Sequence, residues 1–153
     1  MSDVIIQAAK GDINAFAEAY KSVYKKMYCG AYYTLVTEAE AIESVKIAAD
    51  KTFADMSACK NQKDFETLFL KKLSEQIIKC YREYRKNPPA NDDGKAPYIK
   101  GLMRKLTDAE RLAVVFNVLF DISPKEISRV TGLAEDVVAK KLESGRNKLA
   151  PKL

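Results

Sequence analysis

The sequence contains no histidine and no tryptophan, and its three cysteines, Cys29, Cys59 and Cys80, are widely spaced. Zinc sites and disulfide frameworks need paired cysteine or histidine residues at short spacing, and this chain has no Cys-x-x-Cys pair. The N-terminal segment MSDVIIQAAKGD has no basic start before a long apolar run, and no apolar stretch approaches membrane-spanning length. We therefore expect a reduced, cytoplasmic protein without a metal site and without a membrane partner.

The sequence also lacks the residue patterns that are typical of enzyme active sites. Without histidine the commonest general base is absent, there is no glycine-rich phosphate loop, and the carboxylates fall mainly on the outward faces of predicted helices. A buried carboxylate pair is the remaining alternative. We expect a protein that acts by binding, with no catalytic residue and no cofactor.

Negative charge is in deficit, with 21 aspartates and glutamates against 26 lysines and arginines. The first 60 residues carry seven basic and eight acidic side chains, whereas residues 61–100 and 101–153 each have three more basic than acidic ones. If the protein binds a polyanion, the second half should make the contact. The alternative is a mildly basic protein with no such partner.

Glycine and proline are few, six and five residues of 153, which favours helices. Apolar residues three and four positions apart predict a long helix from Ile13 to Leu35. A second helix begins at a capping box of Thr37 and Glu40, and a third extends from near Asp64 to Arg85. Three long helices predict a helical bundle.

The helical pattern stops at NPPANDDGKAP, residues 87–97, where three prolines and an Asp-Asp-Gly sequence favour turns. We place a linker at residues 87–100, between an N-terminal domain of residues 1–86 and a C-terminal domain of residues 101–153. The predicted fold class is therefore all-α, with a helical bundle before a second helical domain.

The C-terminal domain has the pattern of a helix-turn-helix. Capping boxes begin two of its helices, at Thr107 with Glu110 and at Ser123 with Glu126. The short helix after Ser123 ends at Gly132, a residue type that suits a left-handed turn, and another helix follows. A turn of this length is typical of the motif that lays its second helix in the major groove of DNA.

Basic residues cluster on the outer face of this predicted motif. The candidates for DNA contact are Lys125, Arg129, Lys140, Lys141, Arg146 and Lys148. The last helix nevertheless begins with two acids, Glu135 and Asp136, which favour the helix dipole and can hold the helix start together, because Ala134 is a poor cap. The alternative is a solvated basic face on an ordinary helical bundle.

The segment LTDAERLAVVFNVLFDISPKEISRVTGLAEDVVAKKLESGRNKL resembles the fourth conserved region of bacterial RNA polymerase sigma factors, especially the extracytoplasmic-function (ECF) group. In that group a Leu-x-x-x-Glu-Arg opening precedes a Ser-x-x-Glu-Ile helix, a Gly-Leu turn and a basic reading helix. The corresponding residues here are Leu106, Glu110, Arg111, Ser123, Glu126, Ile127, Gly132 and Leu133. Upstream, AAKGDINAFAEAYKSVYKKMY resembles the opening of the second conserved region of the same group. The resemblance covers nearly the whole chain and implies a sigma region 2-like bundle before a sigma region 4-like helix-turn-helix domain.

The resemblance implies double-stranded promoter DNA and core RNA polymerase as partners, with an anti-sigma protein as a further candidate. In the family, an acidic and glutamine-rich motif before a phenylalanine grips the polymerase clamp. The aligned stretch here, IAADKTF, departs from that motif but keeps the phenylalanine. The clamp candidates are therefore Asp50, Lys51 and Phe53.

Promoter melting in the family uses the third helix, commonly with a tryptophan that this chain lacks. What remains is KCYREYRK, where basic residues alternate with aromatic ones; the candidates are Lys79, Tyr81, Arg82, Tyr84 and Arg85. Such a stretch suits the stacking of unpaired bases over a basic track. The alternative is that both tyrosines pack in the core. Tyrosines also recur at positions 20, 24, 28 and 32. For these four residues both core packing and contact with a partner are open.

Together these features predict a sigma-like transcription initiation factor that binds core RNA polymerase and promoter DNA. The departures leave two alternatives: a sigma-derived regulator that binds DNA without delivering polymerase, and an adaptor that imitates a sigma factor to sequester a partner. Binding to core polymerase separates the first from the second. Binding to duplex DNA separates the adaptor from both.

Overall fold

The structure is a computed structural model that describes residues 2–35, 37–86 and 97–150. Within these ranges the chain forms eight α-helices, one 3-10 turn and no strand, which confirms the predicted all-α class. The elements are α1 (Ser2–Ala9), α2 (Ile13–Leu35), α3 (Glu38–Asp55), the 3-10 turn (Met56–Ala58), α4 (Gln62–Lys86), α5 (Pro97–Arg104), α6 (Asp108–Leu119), α7 (Pro124–Thr131) and α8 (Glu135–Leu149). None of the described helices combines the length and the apolar character needed to cross a membrane.

Helix α1 is not predicted from the sequence pattern. It has only 8 residues, and isolated helices of that length are marginal in water. Tertiary contact stabilises it, because Ile5 and Ala8 are buried and α1 packs along α2. Asp12 then begins α2, where its carboxylate accepts two hydrogen bonds from backbone amides of the first turn.

Helix α5 is also an addition to the predicted elements. It begins at Pro97, inside the stretch predicted to be the linker, residues 87–100. Proline suits the first turn of a helix, because the amide that it lacks has no intrahelical partner there. The remainder of the predicted linker, residues 87–96, lies outside the described residues. The division into domains of residues 1–86 and 101–153 stays a prediction.

Helices α2, α3 and α4 pack around an aromatic core. On α4, Phe65, Phe69, Leu73 and Ile77 recur every four residues, and all four are fully buried. The ring of Phe16 on α2 lies 6.0 Å from that of Phe65, centroid to centroid, at a nearly perpendicular angle. This spacing of apolar residues is the signal from which the helices were predictable.

The two halves of the chain pack against each other at a surface that we call the seam, formed by α2 and α4 on one side and by α6, α7 and the segment between them on the other. At Gly30 on α2, an added Cβ would lie 2.4 Å from the Phe120 ring, so the helix approaches that ring closely. The Ser74 hydroxyl on α4 donates to the Val130 carbonyl at 2.8 Å. The buried core therefore extends across the seam.

A buried arginine adds polar contacts to the seam. The Arg111 guanidinium donates to the carbonyl oxygens of Thr34, Met103 and Leu106, at 3.0, 3.0 and 3.1 Å. Tyr81 donates to the same Thr34 oxygen at 2.8 Å. The Thr34 and Met103 carbonyls lie in the last turns of α2 and α5, at the negative ends of the helix dipoles, where a cation is favourable. Arg111 thus joins two helix ends to α6.

In the C-terminal half the structure confirms one predicted capping box in full and only the N-cap bond of the other. Thr107 and Glu110 form a complete capping box at α6. At α7 the Ser123 hydroxyl accepts from the Glu126 amide at 3.2 Å. Gly132 ends α7 with a φ of 80°, in the left-handed region expected there.

The predicted capping box at Thr37 and Glu40 is wrong. Thr37 precedes α3, but its side chain makes no capping hydrogen bond. The Thr37 hydroxyl is buried instead, and a carboxylate oxygen of Glu40 accepts from the thiol of Cys80 on α4 at 3.6 Å. A tertiary contact with α4 therefore holds the Glu40 side chain away from the start of the helix.

Candidate DNA-binding surface

Helices α7 and α8 form a helix-turn-helix around Gly132. The Gly132 amide donates to the Ser128 carbonyl at 2.9 Å, which closes the last turn of α7. The Thr131 hydroxyl accepts from the Leu133 amide at 3.3 Å and directs the chain into the turn. On the inner side, Ile127 and Val130 of α7 are buried, as are three apolar residues of α8, namely Val138, Leu142 and Leu149. The outer side of α8 is exposed.

Four of the six predicted DNA contacts have neither an ion pair nor a side-chain hydrogen bond among the described residues, and three of these four are lysines. Lys125 on α7 and Lys140 on α8 are exposed, and Lys141 is half-buried. A lysine that has no partner in the free protein can bind a phosphate without losing an internal contact. These three are therefore the strongest candidates for contact with a nucleic acid backbone.

The last two basic residues of α8 contact α6 instead. The Lys148 ammonium donates to a carboxylate oxygen of Glu110 at 2.6 Å, although its own side chain is 44% exposed. The Arg146 guanidinium donates to the side-chain oxygen of Asn117. Both residues, predicted as DNA contacts, already have partners within the helix-turn-helix half.

The sixth predicted contact, Arg129, lines a cleft of about 360 Å³ between the two halves of the chain. Lys26 of α2 and Lys63 of α4 line the same cleft, together with the acids Glu66, Asp121 and Glu126. Because the cleft has as many acidic as basic side chains, its charge does not favour a polyanion. Arg129 thus lies beside the bundle as well as on the helix-turn-helix.

The acids at the start of α8 are not hydrogen-bonded caps. Glu135 and Asp136 are exposed, and Ala134, which precedes the helix, makes no side-chain capping bond. Their remaining favourable contribution to the helix is the attraction between a carboxylate and the positive end of the helix dipole. They also repel phosphate, so a DNA backbone is expected to pass nearer to the lysines than to these acids.

The predicted promoter-melting stretch on α4 is divided between surface and core. Lys79 and Arg82 are exposed, and the Arg85 side chain lies outside the described residues. Tyr81 is only 5% exposed, and burial raises the pKa of its hydroxyl. Tyr84 is half-buried, and burial raises the pKa of its hydroxyl to about 12. The positions of both rings agree with the core alternative and leave Tyr81 no face for stacking against a base.

The predicted clamp contacts on α3 differ in exposure. Asp50 and Lys51 are exposed, and Phe53 is half-buried. The ring centroid of Phe53 lies 4.8 Å from that of Phe16 on α2. Phe53 therefore contributes to the packing of the bundle, and the two charged residues are the accessible part of this predicted site.

Tyrosines form a continuous row of ring contacts along α2. Successive ring centroids from Tyr20 to Tyr24, Tyr28 and Tyr32 lie 5.4, 6.1 and 6.0 Å apart. Tyr32 is buried, Tyr20 and Tyr28 are half-buried, and Tyr24 is 40% exposed. The row therefore serves core packing at its C-terminal end, and at Tyr24 it is accessible to a partner.

Sequence reasoning missed the contact of Glu110 with α8, because it identified this residue as part of a cap and of the Leu-x-x-x-Glu-Arg pattern. Burial alone would raise the pKa of Glu110, but hydrogen bonds from Lys148, Ser144 and the Thr107 amide outweigh that effect and lower the pKa to about 2. One signal was available: Glu110 lies four residues before Val114, on the inward face of α6. The partners on α8 are more than 30 residues away in sequence, and no local pattern indicates them.

Comparison of the sequence with protein-family models finds no match, and comparison with curated proteins finds none either. Among the described residues, no group of cysteine and acidic side chains is arranged to hold a metal ion.

Proposed function

We propose that this chain is a sigma-like transcription factor that binds promoter DNA through α7 and α8 and core RNA polymerase through the α2–α4 bundle. The observation that carries the proposal is the helix-turn-helix around Gly132, whose exposed α8 face presents Lys140 without an internal partner. Lys125 adds a free charge on the supporting helix α7. In such motifs the second helix enters the major groove while the first crosses the backbone.

The free charges define how DNA binding should depend on salt. Each phosphate contact by a lysine contributes roughly −0.9 to the slope of log affinity against log salt concentration. Contacts by Lys125, Lys140 and Lys141 therefore give a slope of about −2.7. Lys148 and Arg146 add little to this slope as long as they keep their partners on α6.

Support for polymerase binding by the bundle is the sequence resemblance together with the exposure of Asp50 and Lys51 on α3. The packing of Phe53 on Phe16 gives this part of α3 a defined position against α2. A partner would therefore meet a preformed helical surface, which reduces the entropy lost on binding.

The seam favours a second candidate function, a compact DNA-binding regulator that does not deliver polymerase. A sigma factor that reads two promoter elements must separate its halves, since those elements lie about one and a half helical turns, or roughly 50 Å, apart. Here the Arg111–Thr34 and Ser74–Val130 hydrogen bonds hold the halves together. A regulator that uses only α7 and α8 needs no such separation.

Two measurements on the purified full chain separate these functions. Titration of a randomised duplex library at several salt concentrations tests DNA binding, and a pull-down with purified core polymerase tests polymerase binding. Binding in both assays supports the sigma-like function, whereas DNA binding alone supports the regulator. Core binding without duplex binding would reject the assigned role of α7 and α8 and favour the adaptor alternative.

A further inference from the structure

A buried carboxylate on α6 contacts two residues of α8. The Glu110 side chain is 5% exposed. One of its oxygens accepts from the Thr107 amide at 2.9 Å and from the Lys148 ammonium at 2.6 Å. The other oxygen accepts from the Ser144 hydroxyl at 2.6 Å. Glu110 therefore joins the start of α6 to two residues, four positions apart, on the last turns of α8.

A glycine between those two residues brings the helices close together. A Cβ at Gly145 would lie 2.7 Å from a methyl group of Val114 and 3.4 Å from the Glu110 carbonyl oxygen. Only a residue without a side chain permits this approach, so the close contact and the carboxylate define the same register between α6 and α8. The rotation of α8 about its own axis is thereby determined too.

Lys148 is poorly suited to bind phosphate while it holds Glu110. Moving its ammonium to a phosphate would leave the Glu110 charge buried without a cation, and no other ion pair to Glu110 exists among the described residues. An unpaired buried charge is strongly unfavourable. The charge of Lys148 is thus used inside the protein, although the residue lies on the basic end of α8.

We infer that Glu110, Ser144 and Lys148 are positioning residues for DNA binding, which fix the rotation and register of α8 and so the direction in which Lys140 and Lys141 are presented. The inference rests on the proposed DNA-binding function. A reading helix must be held at a set angle to its supporting helix for its side chains to reach the groove. Residues that hold it can change affinity without contacting DNA.

The test compares Lys148→Met with a matched control, Lys140→Met, in duplex binding at several salt concentrations. Lys148→Met should weaken binding about three- to tenfold. It should leave the log–log salt slope unchanged, because the variant loses a contact that positions α8 and not a contact with a phosphate. Lys140→Met should weaken binding and reduce the magnitude of the slope by roughly 0.9. If Lys148→Met reduces the slope as Lys140→Met does, or leaves affinity unchanged, the inference is wrong.

A double-mutant cycle with Glu110→Gln provides the second measurement. Glutamine keeps an oxygen that can accept from the Thr107 amide, and its NH2 group can donate to the Ser144 hydroxyl, but it removes the charge that holds Lys148. If the two residues act through each other, Glu110→Gln with Lys148→Met should bind no more weakly than the weaker single variant. If the affinity losses of the two single variants multiply in the double variant, the inference is wrong. The helical circular dichroism spectrum of each variant shows whether it is folded. Absence of duplex binding by the wild-type chain would instead reject the proposed function, and the inference with it.

Discussion

At the scale of single residues, the surroundings of a charge decide what it can do. Lys140 and Lys148 are both lysines on α8, yet one is exposed without an ion pair and the other is bound to a buried carboxylate. The first is available to a phosphate and the second stabilises the contact between two helices. The same distinction separates Lys125 from Arg146, which already donates to Asn117.

Two of the three lysines without partners, Lys125 and Lys140, should account for a measurable part of the salt dependence. We expect Lys125→Gln with Lys140→Gln to reduce the magnitude of the log–log salt slope by about 1.8, because two phosphate contacts are lost. The matched control is Lys46→Gln with Lys60→Gln, which removes the same charge from exposed positions in the N-terminal half. Equal slopes for the two double variants would show that the binding surface is not on α7 and α8.

Glu110 should make stability depend on pH in acid. Its pKa is lowered from 4.5 to about 2 in the folded protein, so its charged form contributes stability that is complete above pH 4.5 and is lost as pH falls towards 2. We expect Glu110→Gln to be less stable than wild type at pH 7 by about 1–3 kcal/mol, and this difference to shrink between pH 4.5 and pH 2. Urea unfolding at each pH measures it. A difference that is constant over this range would contradict the ion pair.

At the scale of helices, local chemistry explains the boundaries of the motif. Ser123 caps α7, proline occupies its first turn, and Gly132 ends it in the left-handed region. Each of these residues acts on a backbone group within a few positions, so each was predictable from sequence. At Thr37 the same kind of prediction failed, because contacts with a distant helix displaced the cap.

Two glycines permit a direct test of the turn. Gly132→Ala should destabilise the protein by about 1–2 kcal/mol, since a φ of 80° is strained for a residue with a Cβ. Gly101→Ala is the control, because Gly101 is within α5 and its added Cβ meets nothing within 4 Å. There we expect a gain of about 0.5–1 kcal/mol from improved helix propensity. Chemical denaturation measures both values, and equal effects would contradict the left-handed turn.

At the scale of the whole molecule, the seam joins the two halves through packing and hydrogen bonds. A buried core passes across it, with Phe120 lying against Gly30 and Ser74 bound to the Val130 carbonyl. Arg111 adds hydrogen bonds to the ends of two helices. Because these contacts are numerous and buried, the halves should unfold together.

Calorimetry tests this coupling. We expect the wild-type chain to unfold in one transition, and Gly30→Ala to lose about 1–3 kcal/mol because its Cβ would lie 2.4 Å from the Phe120 ring. The control is Ala17→Ser, a change of similar size at an exposed position of the same helix. Two transitions in the wild-type protein, or equal stability of the two variants, would show that the seam does not join the halves.

Sequence alone determined the helical class, most helix boundaries, the Thr107 and Ser123 caps and the turn at Gly132, because these depend on residues within one or two helical turns. It also indicated the basic residues of the motif. Only the tertiary structure decided which of them are free, since the partner of Lys148 is 38 residues away and that of Arg146 is 29 away. It decided likewise that Tyr81 is buried, with its hydroxyl bound to an oxygen 47 residues distant. Contacts of this kind form between surfaces that meet only when the helices pack, and no local pattern in a sequence records them.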